Sequence, residues 1–205
     1  MNGSVGVSGH VLHGGFGMSS HTHGLALDWV VGISVLLANG TIVETSATGN
    51  KDLFWAMLGA GSNFGIALSY KFQTYEAPKN VTVYSVQLPW NKTTAVAGLE
   101  ALDDWVNHTM PDTLNMRLAG GNRQASLEGA FHGDSVGLKA ALEPLLNKTG
   151  GTISVSKTMD WVAALEYYAY TNLEQSYPYN VVSKLNVLLS RNLANKSLIA
   201  RNILL

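Results

Sequence analysis

Val5-Gly-Val-Ser-Gly-His10, running into His13-Gly-Gly-Phe-Gly17 and on to His23-Gly-Leu-Ala-Leu-Asp28-Trp29, is the stretch on which the fold of this chain turns. Glycine at this density, broken by histidine and small hydroxyl residues, marks backbone that turns tightly and comes close to another group. No Lys or Arg precedes Lys51. A phosphate-bearing ligand would therefore be held by backbone N–H groups and helix N-termini rather than by cationic side chains. Two nucleotide fingerprints fail. Gly15-Phe-Gly17 continues Met-Ser-Ser20 without the third glycine of the Rossmann spacing, and no Gly-Lys-Ser/Thr is present for a Walker loop.

Outward from that stretch, the chain has 205 residues, 46% of them hydrophobic, which suffices for one domain or two small ones with a real core. A formal charge of −1 with 13% charged residues gives no electrostatic basis for nucleic acid or an anionic membrane as partner. The apolar run Val30 to Ala38 is about half of the ~20 residues that cross a bilayer and reads as a buried strand. There is no cysteine, so disulfides carry no information on compartment. Asn-X-Ser/Thr, in contrast, occurs seven times, at Asn2, Asn39, Asn80, Asn91, Asn107, Asn147 and Asn195. That excess over roughly two or three by chance predicts a secreted protein, and with no basic-apolar leader at residue 1 the chain is expected to be part of a longer precursor.

Residues 1–78 read as strand-rich α+β. Asp28 to Leu37 is a strand, Asn39-Gly40 a hairpin turn, and Thr41 to Thr45 the returning strand. Asn50 is placed as N-cap of a helix Lys51 to Leu58 that stops at Gly59 to Gly61, and Phe64 to Thr74 reads as a strand. A boundary is expected at Ala77-Pro78-Lys79-Asn80, giving units 1–78 and 79–205. The second unit reads βαββαβ, an antiparallel sheet with helices 93–108 and 135–149 on one face. Asp160 caps a short helix from Trp161, and the aromatic segment Tyr170 to Tyr179 follows.

His10-X-X-His13 and His21-X-His23 have ligand-like spacings, but no acidic residue or cysteine lies between Met1 and Leu27 to complete a mixed site. No metal is expected. His13, His21 and His23 are read as turn residues bonding local backbone.

The opening stretch, taken with Leu37-Ala-Asn-Gly40, Asp52-Leu-Phe-Trp55 and Gly59-Ala-Gly-Ser-Asn-Phe-Gly65-Ile66, resembles the berberine-bridge-enzyme-like FAD-linked oxidoreductases, most closely the secreted fungal oligosaccharide oxidases. The resemblance implies an α+β fold: part of a PCMH-type FAD-binding unit followed by an antiparallel-sheet substrate domain. It implies FAD as cofactor and a small carbohydrate as substrate, with hydride passing from a substrate hydroxyl to the flavin and oxygen as acceptor. Val5, Gly6, Ser8 and Gly9 match the family backbone along the flavin, Gly14 and Gly15 the turn past it, and His10 the histidine near the N1–C2=O edge. A donor there would stabilise charge that builds on the reduced flavin. Ile66 matches a segment near the adenosine end, against an ordinary core-strand reading. Arg117 and Glu128, on the strands expected to floor the substrate site, are candidate substrate contacts or a plain ion pair. Tyr167, Tyr170, Tyr177 and Tyr179 are candidate sugar-stacking residues or core.

The sequence departs from the family pattern at Asn2, where doubly tethered members carry a cysteine. The histidine tether, the pyrophosphate loop and the catalytic tyrosine lie in the family outside the matched region, so no catalytic residue is assigned. The resemblance leaves one alternative, a truncated, non-catalytic secreted glycoprotein that keeps part of the oxidase fold.

Overall fold

The computed structural model describes residues 6–91, 93–121 and 124–169. Val5, and Tyr170, Tyr177 and Tyr179 among the candidate aromatics, lie outside them. The chain divides into two compact units between Ala77 and Pro78.

In the first unit, the opening stretch folds as two short helices rather than as plain turns: α1 (Val7–Val11) and α2 (Ser20–His23). The reason is anchoring: Val11 and Leu12 are 1% and 7% exposed and pin α1 against the core. A 3-10 turn, Ala26–Trp29, replaces the expected first turn of the strand, because the Asp28 carboxylate accepts the Leu25 N–H at 2.7 Å. Then follow β1 (Val30–Leu36), β2 (Ile42–Ser46), α3 (Lys51–Ala60) and β3 (Ile66–Phe72), the strands forming one antiparallel sheet in the order β2-β1-β3. Ile33 and Val35 alternate inward on β1 and meet Phe54 and Met57 of α3, a burial pattern of period two against a helix face. Asn50 does occupy the N-cap position, but with φ +49° its side chain does not cap; Nδ2 donates to the Glu44 carbonyl at 2.8 Å and ties the helix start to β2. α3 leaves helical geometry at Leu58 and Gly59, where φ reaches +123°.

The second unit runs β4 (Val81–Leu88), α4 (Ala95–His108), β5 (Leu114–Gly121), β6 (Gln124–Phe131), α5 (Ser135–Thr149), β7 (Thr152–Met159) and α6 (Trp161–Ala169). Its antiparallel sheet has the order β5-β6-β4-β7. Tyr84, Val86, Leu88, Leu114 and Leu127 face Leu99, Leu102 and Trp105 of α4 and Leu138, Leu142 and Leu145 of α5 in one buried cluster. Both helices thus cover a single sheet face, as the periodicity implies. The opposite face carries Ser85, Gln87, Asn115, Arg117, Ser126, Glu128 and Lys157, because residues paired across strands share a face. α6 reaches that face through Lys157, whose Nζ lies 5.9 Å from the Tyr167 ring centroid. Asp134 and Asp160 cap α5 and α6, accepting from Gly137 N at 2.8 Å and Ala163 N at 2.9 Å.

Between α4 and α5, Asp104 accepts from Lys148 Nζ at 2.6 Å and sits 3.2 Å from His108 Nδ1. The lysine hydrogen bond and charge, with a smaller contribution from His108, hold the Asp104 carboxyl below its ordinary range. A carboxyl depressed by folding stabilises the fold above its unfolded pKa and loses that contribution as pH falls through the folded value. The urea midpoint of Asp104→Asn should therefore lie below that of the parent at pH 7, and the gap should begin to narrow below ~3.9 and vanish once pH falls below the lowered folded value. A gap that persists in acid would exclude the ion pair as its origin.

Candidate functional site

The glycine-rich segment doubles back on itself. Gly14 and Gly15 take φ of +105° and +83°, a region that L side chains rarely adopt, and their carbonyls accept from Leu27 N at 3.0 Å and Ala26 N at 2.9 Å. The turn lays Gly15 under the His10 ring: a Cβ on Gly15 would stand 3.0 Å from His10 Cδ2 and 2.6 Å from the Ala26 methyl. His10 is thereby set near the end of α1, half-buried, next to the buried Val11 and Leu12.

His13 does more than the local role expected of it. Its Nδ1 bonds the Gly9 carbonyl at 3.0 Å and its Nε2 lies 3.2 Å from Ser62 Oγ, 49 residues away. Leu12 packs onto Gly61 in the same place, so that a Cβ there would meet Leu12 Cδ2 at 2.5 Å. The Gly6–Gly15 segment is thus stitched to the 3-10 turn Gly61–Asn63, which leads directly into Ile66. Within the Gly59–Gly65 run, Ser62 carries no local sign of this role. The only available signal was a hydroxyl inside a glycine cluster, which names no partner. Ile66 is 63% exposed, so the core-strand reading of it is set aside.

His23 and Trp29 form a separate group. The Trp29 indole N–H donates to the His23 carbonyl, and Tyr75 stacks on the His23 ring with centroids 3.8 Å apart. This fixes the exit from β3 and presents no reactive group. Among the described residues, no three histidines or carboxylates converge as a metal site requires. No helix among them is long and apolar enough to cross a membrane.

Gly6 and Gly9 pose a different question. Gly9 lies inside α1 and is exposed, with nothing within 4 Å of where its Cβ would be, and Gly6 at the N-cap is equally open. Glycine inside a helix costs about 1 kcal/mol against alanine. Among the described residues, nothing packs where its side chain would be. The bare backbone leaves this side of α1 open to a group approaching from outside. With the His10 imidazole beside it and no cationic side chain among residues 6–50, the segment suits an uncharged planar ring system whose edge takes a hydrogen bond.

In the second unit, Arg117 and Glu128 are directly opposed on β5 and β6. Arg117 donates from Nε at 3.1 Å and Nη2 at 2.7 Å to the same Glu128 oxygen. At 63% and 32% side-chain exposure this is a cross-strand surface pair worth ~0–1 kcal/mol, and it leaves the second Glu128 oxygen on the polar sheet face. Asn115, which sequence reasoning did not single out, is 4% exposed on the same face.

No family model matches the chain. Sequence comparison gives a xylooligosaccharide oxidase of Thermothelomyces thermophilus, 50% identical over 169 residues, covering 82% of this chain and 34% of that protein. Berberine bridge enzyme-like 6 of Arabidopsis thaliana is 39% identical over 113 residues, 54% of this chain and 20% of its own length. Among solved structures, a glucooligosaccharide oxidase of Acremonium strictum, described with 6-S-cysteinyl, 8α-N1-histidyl FAD, superposes with a TM-score of 0.81 at 45% identity, over 88% of this chain and 38% of that one. The chain spans about a third of the length of the fungal relatives it matches.

Proposed function

From its homology to fungal oligosaccharide oxidases and berberine bridge enzyme-like proteins, we propose that the chain is the portion of an FAD-linked oligosaccharide oxidase that carries one wall of the flavin site and part of the substrate domain. The observation that carries the reading is Gly9: an exposed helical glycine with open space where its side chain would be, next to His10. Gly6, Ser8 and Gly9 would offer bare backbone to the face of a flavin, Gly14 and Gly15 turn the chain, and an imidazole N–H of His10 would stabilise negative charge on a reduced ring. Bound FAD supplies the hydride acceptor. The His13–Ser62 link holds that segment to the strand start at Ile66, which we place toward the adenosine end. Having no cysteine, this chain cannot supply the cysteinyl tether of the Acremonium enzyme. Arg117 and Glu128 are assigned to the substrate side, where the free Glu128 oxygen and its serine and glutamine neighbours can accept and donate to sugar hydroxyls.

Secretion and glycosylation are part of the same proposal. Asn39, Asn80, Asn91, Asn107 and Asn147 are all exposed, as glycan attachment requires; Asn2 and Asn195 fall outside the described residues.

The test is to express the complete reading frame that contains this chain, record flavin absorbance, and follow peroxide release with xylo- and gluco-oligosaccharides. Gly9→Ala should leave folding stability unchanged or raise it by up to about 1 kcal/mol. The same change should weaken flavin retention at least about tenfold, the equivalent of ~1.4 kcal/mol. A Gly9→Ala protein that keeps its flavin undiminished would remove the reason for placing the ring there.

A further inference from the structure

We infer that Asn39 is, among the described sequons, the one whose fold engages both the N–H and the hydroxyl of its own threonine for N-glycosylation, and that Asn80, Asn107 and Asn147 can be modified only when their surroundings are open. The turn between β1 and β2 is a tight one: Gly40 N donates to the Leu37 carbonyl at 2.9 Å, Leu37 N to the Thr41 carbonyl at 2.8 Å, and Gly40 takes φ +83°. Asn39 sits at its tip, exposed together with Gly40 and Thr41. Its Oδ1 accepts both the Thr41 N–H at 3.0 Å and the Thr41 hydroxyl at 2.7 Å. Nδ2 is left pointing to solvent with both hydrogens unused.

That arrangement is what the chemistry needs. A carboxamide nitrogen is a poor nucleophile because its lone pair is shared with the carbonyl. Two donors on Oδ1 make the N–H bonds more acidic, so a transferase base can take one proton as nitrogen attacks. The Nδ2–C1 bond forms while the C1–O bond of an activated glycosyl phosphate donor breaks, and the phosphate leaves with the electron pair. The remaining N–H and Oδ1 keep the turn intact, so the modified fold loses no hydrogen bond.

The other four described sequons each lack part of this unit. At Asn80 the Thr82 hydroxyl is buried in the sheet, bonded to the Gly133 carbonyl at 2.7 Å and 2.8 Å from Thr158 Oγ1. Asn107 uses both Nδ2 hydrogens within α4, on the Asp103 carbonyl at 2.8 Å and the Asp103 carboxylate at 3.2 Å. Asn147 lies in α5 and its Thr149 hydroxyl donates to Leu145 at 2.8 Å. At Asn91 the amide oxygen also takes two donors, the Thr93 and Thr94 N–H groups at 2.8 and 3.1 Å, but not the sequon hydroxyl, so it is the intermediate case.

The inference deepens the secretion reading, and its test separates the two. The complete reading frame that contains this chain, made unglycosylated and folded, is treated with a nucleotide-sugar-dependent N-glycosyltransferase, and the sites are mapped by peptide mass spectrometry. Asn39 should label at least about tenfold faster than Asn80, Asn107 or Asn147, which must first open locally. In urea that preference should collapse. Thr41→Ser should keep Asn39 labelling, and Thr41→Val should abolish it while leaving the other sites unchanged. Even labelling across the sequons in the folded chain, or none at Asn39, would overturn the inference. Finding the native protein inside the cell would sink the secretion reading alone.

Discussion

Replacing Gly15 by alanine will destabilise the chain by about 2–4 kcal/mol, the sum of a strained left-handed backbone and an overpacked contact. Gly15 holds φ +83°, and its new Cβ would stand 2.6 Å from the Ala26 methyl, closer than real carbon contacts come. Relief requires Ala26 to withdraw, and the Ala26 N–H to Gly15 carbonyl bond at 2.9 Å opposes that movement. The same methyl would press on the His10 ring, 3.0 Å away, so the imidazole must turn as well. Gly17→Ala is the control, since a Cβ there meets nothing within 4 Å. Urea unfolding compares the two, and flavin retention in the full reading frame should fall for Gly15→Ala and hold for Gly17→Ala. Equal stability of both variants would mean that the turn is not the constraint on His10.

The fold of the second unit was legible because its residues obey one rule at a time. Leu138, Leu142 and Leu145 recur at helical spacing, and β4 alternates from Tyr84 to Leu88, although Val81–Tyr84 are buried on both faces. The opening stretch was less legible. Its glycines announce tight turns, but whether such a segment coils into a helical turn depends on whether Val11 and Leu12 find a core, and that core is built from β1 and α3, some twenty to forty-five residues further on. Asn50 failed as a cap for a related reason: the Glu44 carbonyl, brought close by β2, competes for its side chain. The site residues were visible only through resemblance. Spacing alone could not distinguish His10 from His13, nor foresee that His13 reaches Ser62, because a contact across 49 residues leaves no local pattern.

What the sequence also hid is that several large apolar residues in the first unit find no cover among the described residues. Trp55 is 79% exposed on α3, and Ile42, Ile66 and Leu68 are 61%, 63% and 50% exposed on the two edge strands. Edge strands that carry apolar side chains and unpaired backbone groups seek a partner. Relatives about three times as long as the matched region have chain to spare for that purpose. The second unit exposes Val136 and Val162 on its helices, but draws Tyr84, Trp90 and Trp105 into its core.

That balance makes Trp105→Ala the more damaging change. Trp105 is 1% exposed between α4, α5 and the sheet, and truncating a buried tryptophan costs about 3–5 kcal/mol through lost transfer energy and the cavity left behind. Against a total stability of about 5–15 kcal/mol, that is enough to melt the unit under mild urea. No hydrogen bond within the described residues is forfeited, because the Trp105 indole nitrogen is buried without a partner among them. Trp105→Phe therefore removes an unsatisfied donor, a gain of about 1–3 kcal/mol that offsets most of its smaller cavity. The phenylalanine variant should lie within ~1.5 kcal/mol of the parent, as a large apolar replacement does when the site can close around it. Since the two units have separate buried clusters, urea unfolding of Trp105→Ala followed by amide exchange should show early loss of protection in Val81–Leu88 while Val30–Leu36 stays protected. Simultaneous loss in both strands would show the units to be one cooperative body, and a phenylalanine variant as unstable as the alanine one would show that the indole nitrogen has a partner after all.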